Sequence, residues 1–265
     1  MKISVSKTFQ NEFSPPRRIN ISKKSASLMR MFGLTADKLK ENKIMSLHLQ
    51  RDLDSLKKDI LQLGNMVESS INKALVALTE RRSELLDDVF ENEKLIDLQE
   101  VSIEENCLKV LALHQPVAVD LRFIVAILKV NNDLERMGDF AVNVAERAKA
   151  LNSQEPISCP TEFTDIVPHT IRSMVRNSLT ALVKFDVDMA RAVIRMDDEV
   201  DEVNRLMYRT LKELMIKDSS TVERAISLLS CSRYLERIAD LTTNIAEDVI
   251  FMVEGEVVRH QSTRL

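Results

Sequence analysis

A chain of 265 residues with 45% hydrophobic side chains can pack a core, but 4 Gly and 6 Pro leave few sites for the turns that sheet folds need every ~8–12 residues. Charged residues make up 29% and aromatics 4%, with no Trp, which suits long helices and excludes a disulfide scaffold (three scattered Cys), a collagen-like chain and a mostly disordered one. The net charge of -4 is uneven: residues 1–44 hold ten Lys/Arg against three Asp/Glu, and the remainder 27 against 38, so the body is acidic and unsuited to a nucleic-acid groove.

Residues 1–44 have no clear period, contain Pro15-Pro16 and are rich in Ser and Lys/Arg, and so read as a basic, disordered tail; Met45 is an alternative start. From there helical patterning predicts helices over 46–80, 83–114 and 116–151, a Pro-containing linker over 152–163, further helices over 164–184, 187–216 and 220–253, and a C-terminal tail over 256–265. Ser83 is the expected N-cap of the second helix, Pro116 falls in the first turn of the third, and Ser220 with Glu223 forms a capping box for the sixth. His114 reads as a cap at the end of the second helix. No apolar run approaches the ~18 residues of a membrane span, and no secretory signal opens the chain, which points to the cytoplasm. Cys107, Cys159 and Cys231 read as small buried hydrophobes.

The third and sixth helices align at an offset of 101. Over residues 134–147 and 235–248, seven of 14 positions are identical, including Glu, Arg, Asp and Asn that amphipathicity does not require. The second and fifth helices align at an offset of 104. The chain is therefore expected to be all-α, a tandem repeat of two antiparallel three-helix bundles, over 45–151 and 164–255.

The apolar seams of four helices carry acids where Leu would be expected. Helix two reads Val89, Glu93, Ile96, Glu100, Ile103, Cys107, Val110; helix three turns polar at Asn131 and Glu135, with Asp139 beside its seam. In the second half Asp197 and Glu236 hold the matching places. Each of the four acids is followed four residues later by another, giving Glu93/Asp97, Glu135/Asp139, Asp197/Asp201 and Glu236/Asp240. Counted from a turn at residue 115, Glu93 and Glu135 lie about 33 and 30 Å away at ~1.5 Å per residue, so they share a level. Chance alone supplies about six acid pairs at this spacing in such a composition, but not four in register across a repeat. Like charges at this spacing repel, and half-buried carboxylates need a partner. A cation is the simplest common solution, and carboxylates without His or Cys suit hard ions such as Mg, Mn or Fe. An ion-pair network through Arg136 and Arg237 and an exposed charged face are the alternatives. A multinuclear carboxylate-metal phosphohydrolase is the enzymatic alternative, and a purely structural helical module the third. No Gly-rich phosphate loop, nucleophile elbow, zinc spacing or Glu-x-x-His pattern occurs, so no catalytic residue is assigned.

The stretch from Leu111 through His114-Gln115-Pro116 to Asp120-Leu121-Arg122, with Asp133-Leu-Glu-Arg-Met-Gly-Asp139 and Asn143-Val-Ala-Glu146, resembles the PhoU family of phosphate-transport regulatory proteins, over about residues 45–254. Where that family often has His after Gly-Asp, this chain has Phe140. The resemblance implies metal motifs on the eight acids named above, holding divalent or trivalent ions (Fe, Mn, Mg or Zn). It also implies a non-enzymatic adaptor, a homodimer peripheral to the membrane through its partners. It would damp phosphate uptake and starvation signalling by contacting the ATPase subunit of the phosphate ABC transporter and a membrane sensor histidine kinase.

Overall fold

The computed structural model describes residues 36–256. Among them the chain forms six long helices and no strand: α1 Ala36–Thr79, α2 Leu86–His114, α3 Ala118–Asn152, α4 Thr161–Lys184, α5 Val187–Lys217 and α6 Val222–Glu254. Short 3-10 turns, Ser83–Leu85 and Ser219–Thr221, lead into α2 and α6. The expected all-α tandem of three-helix bundles is the observed fold, and the differences lie at helix ends. Helix α1 begins at Ala36, ten residues ahead of the expected start. The rest of the basic tail, 1–35, and residues 257–265 lie outside the described residues. Residues up to Leu47 form one unit, whose described part is the start of α1, and residues from His48 onward form another.

Local chemistry explains the remaining differences. Ser83 does not cap α2; its hydroxyl accepts from Asn152 Nδ2 at 3.0 Å, tying the α1–α2 connection to the end of α3. Ser220 forms no capping box with Glu223; Asp218 caps the 3-10 turn that leads into α6, its carboxylate accepting from the Ser220 N–H at 2.9 Å, and Thr221 is the N-cap of α6 itself. Pro116 lies two residues before α3, whose N-cap is Val117. His114 is not a cap: its Nε2 lies 3.0 Å from Asp52 Oδ2 on α1, and that hydrogen bond holds the Asp52 carboxyl below the usual range. With so few glycines, left-handed C-cap positions fall to Gln115 (φ 45°) and Phe185 (φ 56°) as well as Gly255 (φ 76°).

The six helices differ in how much of their circumference is buried. Helix α2 buries one narrow stripe, Leu86, Val89, Ile96, Ile103, Cys107 and Val110, and α5 another, from Ala190 and Val193 to Met207 and Leu211. The third helix of each repeat is buried on a broader arc. In α3, Ile127, Val130, Leu134, Met137, Ala141 and Val144 are buried beside Ile124, Asn131, Gly138 and Ala145. Helix α3 packs along α6, α2 along α3, α5 along α6, and α4 against both α5 and α6. At Gly64 on α1, a Cβ would come within 2.7 Å of Leu179 Cδ2 on α4, so the first helices of the two repeats also meet closely. One apolar core therefore runs through both repeats. Helices α2 and α5 are the edge helices, and the groove each makes with its inner neighbour opens to solvent. Cys107 and Cys231 are buried as expected, while Cys159 is half-buried; all three are free thiols. Among the described residues no helix is long and apolar enough to cross a membrane.

Candidate metal centre

The α2–α3 groove is where the first set of acids collects. The two helices run antiparallel and touch closely because Gly138 has no side chain. A Cβ there would lie 3.2 Å from Ile96 Cδ1 and 3.3 Å from its Cγ2. This is a helix–helix contact, so the glycine brings the backbones together rather than leaving space for an ion. Ile96 lies between Glu93 and Asp97, and Gly138 between Glu135 and Asp139, so the close approach draws the two acid pairs together.

One carboxylate oxygen each of Asp97, Glu135 and Asp139 lies within 4.8 Å of the others. Among the described residues this is the group of acids, His or Cys whose ligand atoms converge so tightly. The register is one turn away from the expected level pairing. Asp97, not Glu93, meets Glu135, while Glu93 feels Asp97, Asp139 and Glu146 most strongly. The cause is the connection: Gln115, Pro116 and Val117 are not helical, so they do not advance the chain by the helical rise.

Burial raises the carboxyls of Glu93, Glu135 and Asp139 above their ordinary range, and Asp97 raises each further by repulsion. Arg136 partly offsets this at Glu135 and Asp139. Asp97 is exposed and the other three are half-buried, so the site lies at the rim of the core with a face open to solvent. Carboxylates held this close repel unless protonated or joined by a cation, and an all-oxygen donor set fits a hard ion.

The second repeat places Asp197, Asp201, Glu236 and Asp240 in the equivalent α5–α6 groove. Asp197 feels Asp240, Asp201 and Glu236, and burial above all pushes its carboxyl up to about 7. Burial likewise raises Glu236 and Asp240, with Asp201 adding repulsion. Here arginines intervene: Arg205 Nη2 bonds Asp201 Oδ2 at 2.9 Å, and Arg237 Nη1 lies 4.0 Å from Asp240 Oδ2. The ligand atoms of this set do not converge as those of the first set do.

Further polar residues adjoin the first cluster. Glu100, one turn beyond Asp97, adds to the repulsion at Glu135 and is itself raised by burial. Buried Asn131 donates from Nδ2 to the Glu100 carbonyl at 2.9 Å and to Glu100 Oε1 at 3.0 Å. Neither is among the eight acids expected from the sequence, although both stand on polar positions of the apolar seams, and that placement is the signal that points to them. Glu146, repeated as Glu247, extends the acidic face beyond Glu93.

The PhoU domain family model matches residues 60–148 and 168–249, one stretch per repeat. The "Phosphate-specific transport system accessory protein PhoU homolog" of Aquifex aeolicus is 38% identical over 213 residues, covering 80% of this chain and 96% of that protein. The "Phosphate-specific transport system accessory protein PhoU" of Escherichia coli is 33% identical over 224 residues, covering 84% and 92%. The crystal structure of PhoU from Pseudomonas aeruginosa superposes with a TM-score of 0.76 at 35% identity, covering 78% of this chain and 99% of that one. That of the phosphate transport system regulatory protein PhoU from Streptococcus pneumoniae gives 0.71 at 28% identity, covering 79% and 99%. With a family model matching most of its length and relatives of this similarity spanned almost end to end, the chain belongs to the PhoU family.

Proposed function

We propose that this chain is a metal-binding regulatory adaptor of phosphate transport. The observation that carries the metal part is the convergence of Asp97, Glu135 and Asp139 on a single point of the α2–α3 groove. Glu93 completes that set, and Asp197, Asp201, Glu236 and Asp240 form its counterpart. The donors are all carboxylate oxygens, which suits Mg, Mn or Fe better than Zn. The regulatory part is supported by the relatives, which carry the names of accessory and regulatory proteins of phosphate transport rather than of enzymes. In this reading the chain works in the cytoplasm as a homodimer. It meets the membrane through the ATPase subunit of a phosphate ABC transporter and a sensor histidine kinase, and holds the kinase off when phosphate is plentiful. Leu95, Leu98, Val101 and Leu108 on α2 are exposed, apolar residues of a kind that helix-in-groove partners use.

Two measurements test it. Elemental analysis of protein purified without chelator should find metal, reduced in Glu135→Ala and Glu236→Ala; equally low metal in all three removes the site assignment. Deleting the gene should derepress phosphatase output in high phosphate, and an unchanged output counts against the regulatory role.

A further inference from the structure

The two clusters occupy equivalent grooves but differ in their surroundings. At the offsets of the repeat, Glu100 corresponds to Asn204 and Asn131 to Ser232. In the first repeat this level supplies another carboxylate, with the Asn131 amide clamping it. Asn131 is 1% exposed, and its Oδ1 is enclosed without a hydrogen-bond partner. An enclosed carbonyl oxygen without a partner carries a desolvation cost that an electropositive neighbour relieves. In the second repeat the same level is neutral and already satisfied, since Ser232 Oγ donates to Asn204 Oδ1 at 2.7 Å. The second cluster is also partly occupied from within the protein. Arg205, in whose place the first repeat has Val101, bonds both Asp201 and Glu202 at 2.9 Å, while Arg237 near Asp240 only repeats what Arg136 does beside Glu135 and Asp139. A cation entering there displaces a guanidinium; a cation entering the first groove meets Asp97, Glu135 and Asp139 already converged.

We infer that the two clusters are unequal cation sites, filled in order: the first repeat's site, extended by Glu100 and Asn131, binds first and more tightly, and the second fills only by competing with Arg205. The inference rests on the reading of both clusters as metal centres. It goes beyond that reading in giving the tandem repeat two different thresholds for one ion.

The test is a titration of the full-length, chelator-stripped chain with Mn2+, the free ion counted by electron paramagnetic resonance. Two classes of site are expected, differing at least about tenfold in affinity. Glu135→Ala removes the tight class and Glu236→Ala the weak one. Asp97→Asn, at an exposed position, serves the same purpose as Glu135→Ala without risk to the core. Glu100→Gln weakens the tight class severalfold, and Arg205→Ala, on the surface of α5, tightens the weak one. A single class, loss of the tight class in Glu236→Ala, or an Arg205→Ala chain that binds as the parent does overturns the ordering while leaving metal binding intact. A parent chain that binds no Mn2+ overturns the metal reading itself, and the ordering with it.

Discussion

Asp197 shows what the clusters cost when no ion joins them. Its carboxyl sits among Asp240, Asp201, Asp198 and Glu236, and burial with that repulsion pushes it up to about 7. A carboxyl whose folded-state value is raised binds its proton more tightly folded than unfolded. Its contribution to stability is complete below the ordinary value of 3.8 and is lost as pH rises toward about 7. Glu93, Glu135, Asp139, Glu236 and Asp240 shift in the same direction, each first through burial. The unfolding temperature of the chain in chelator should therefore fall between roughly pH 4 and pH 7, and Asp197→Asn should flatten that fall. Parallel curves for parent and variant would show that Asp197 is not the strained group. The acids themselves were legible in the sequence, because four of them interrupt apolar seams, each is followed four residues later by another, and the pattern recurs in the second repeat. Their partners were not. Arg205 is four residues from Asp201 on an ordinary helix surface, and nothing in its spacing sets it apart from other exposed arginines.

At the scale of helices, the contact of α2 with α3 is set by a matched pair. Gly138 faces Ile96 in the first repeat, and the corresponding residues of the second are Ala239 and Val200, a methyl lost from one helix and gained on the other. Ile96→Val alone should cost about 1 kcal/mol through the space it leaves. Gly138→Ala alone gains helix propensity of about 0.8–1 kcal/mol but pushes its new methyl against Ile96. Combined, the two substitutions reproduce the pairing of the second repeat, and chemical denaturation of the four chains in chelator should give a favourable coupling of about 0.5 kcal/mol or more. Strict additivity would mean that the two side chains do not share a boundary. The sequence places Gly138 between Glu135 and Asp139 but not what lies opposite it; Ile96, from the facing helix of the hairpin, fills that space. Helix ends were the least legible feature, for a comparable reason. Ser83 and Ser220 are good capping residues by type, yet Asn152 takes the hydroxyl of the first, and the second lies inside a 3-10 turn that Asp218 caps.

Across the whole molecule, the inner helices α3 and α6 join the repeats into one core. Lys129 on α3 bonds Asp248 on α6 at 3.0 Å, with the Asp248 side chain 2% exposed and the ammonium also over the Phe251 ring. Phe140 and Tyr234 stack between the same helices, with ring centroids 6.0 Å apart. Phe140 therefore serves the contact between repeats. Removing the cation while leaving the buried carboxylate, as in Lys129→Met, should cost about 2 kcal/mol and lower the thermal midpoint by roughly 4–8 °C, read by circular dichroism. An unchanged midpoint would show that the pair does not fasten the repeats. The sequence by itself determined the helices, their number and order, the internal repeat and the eight acids, because helical period, turn residues and duplication are properties of one strand read along its length. Only the tertiary structure decided that α2 and α5 are edge helices, that Asp97 rather than Glu93 meets Glu135, and that Arg205 bonds into the second cluster where the first has no counterpart. Those depend on distances between helices, which the non-helical residues at each turn and the volumes of facing side chains set, and neither is written in the period of a single helix.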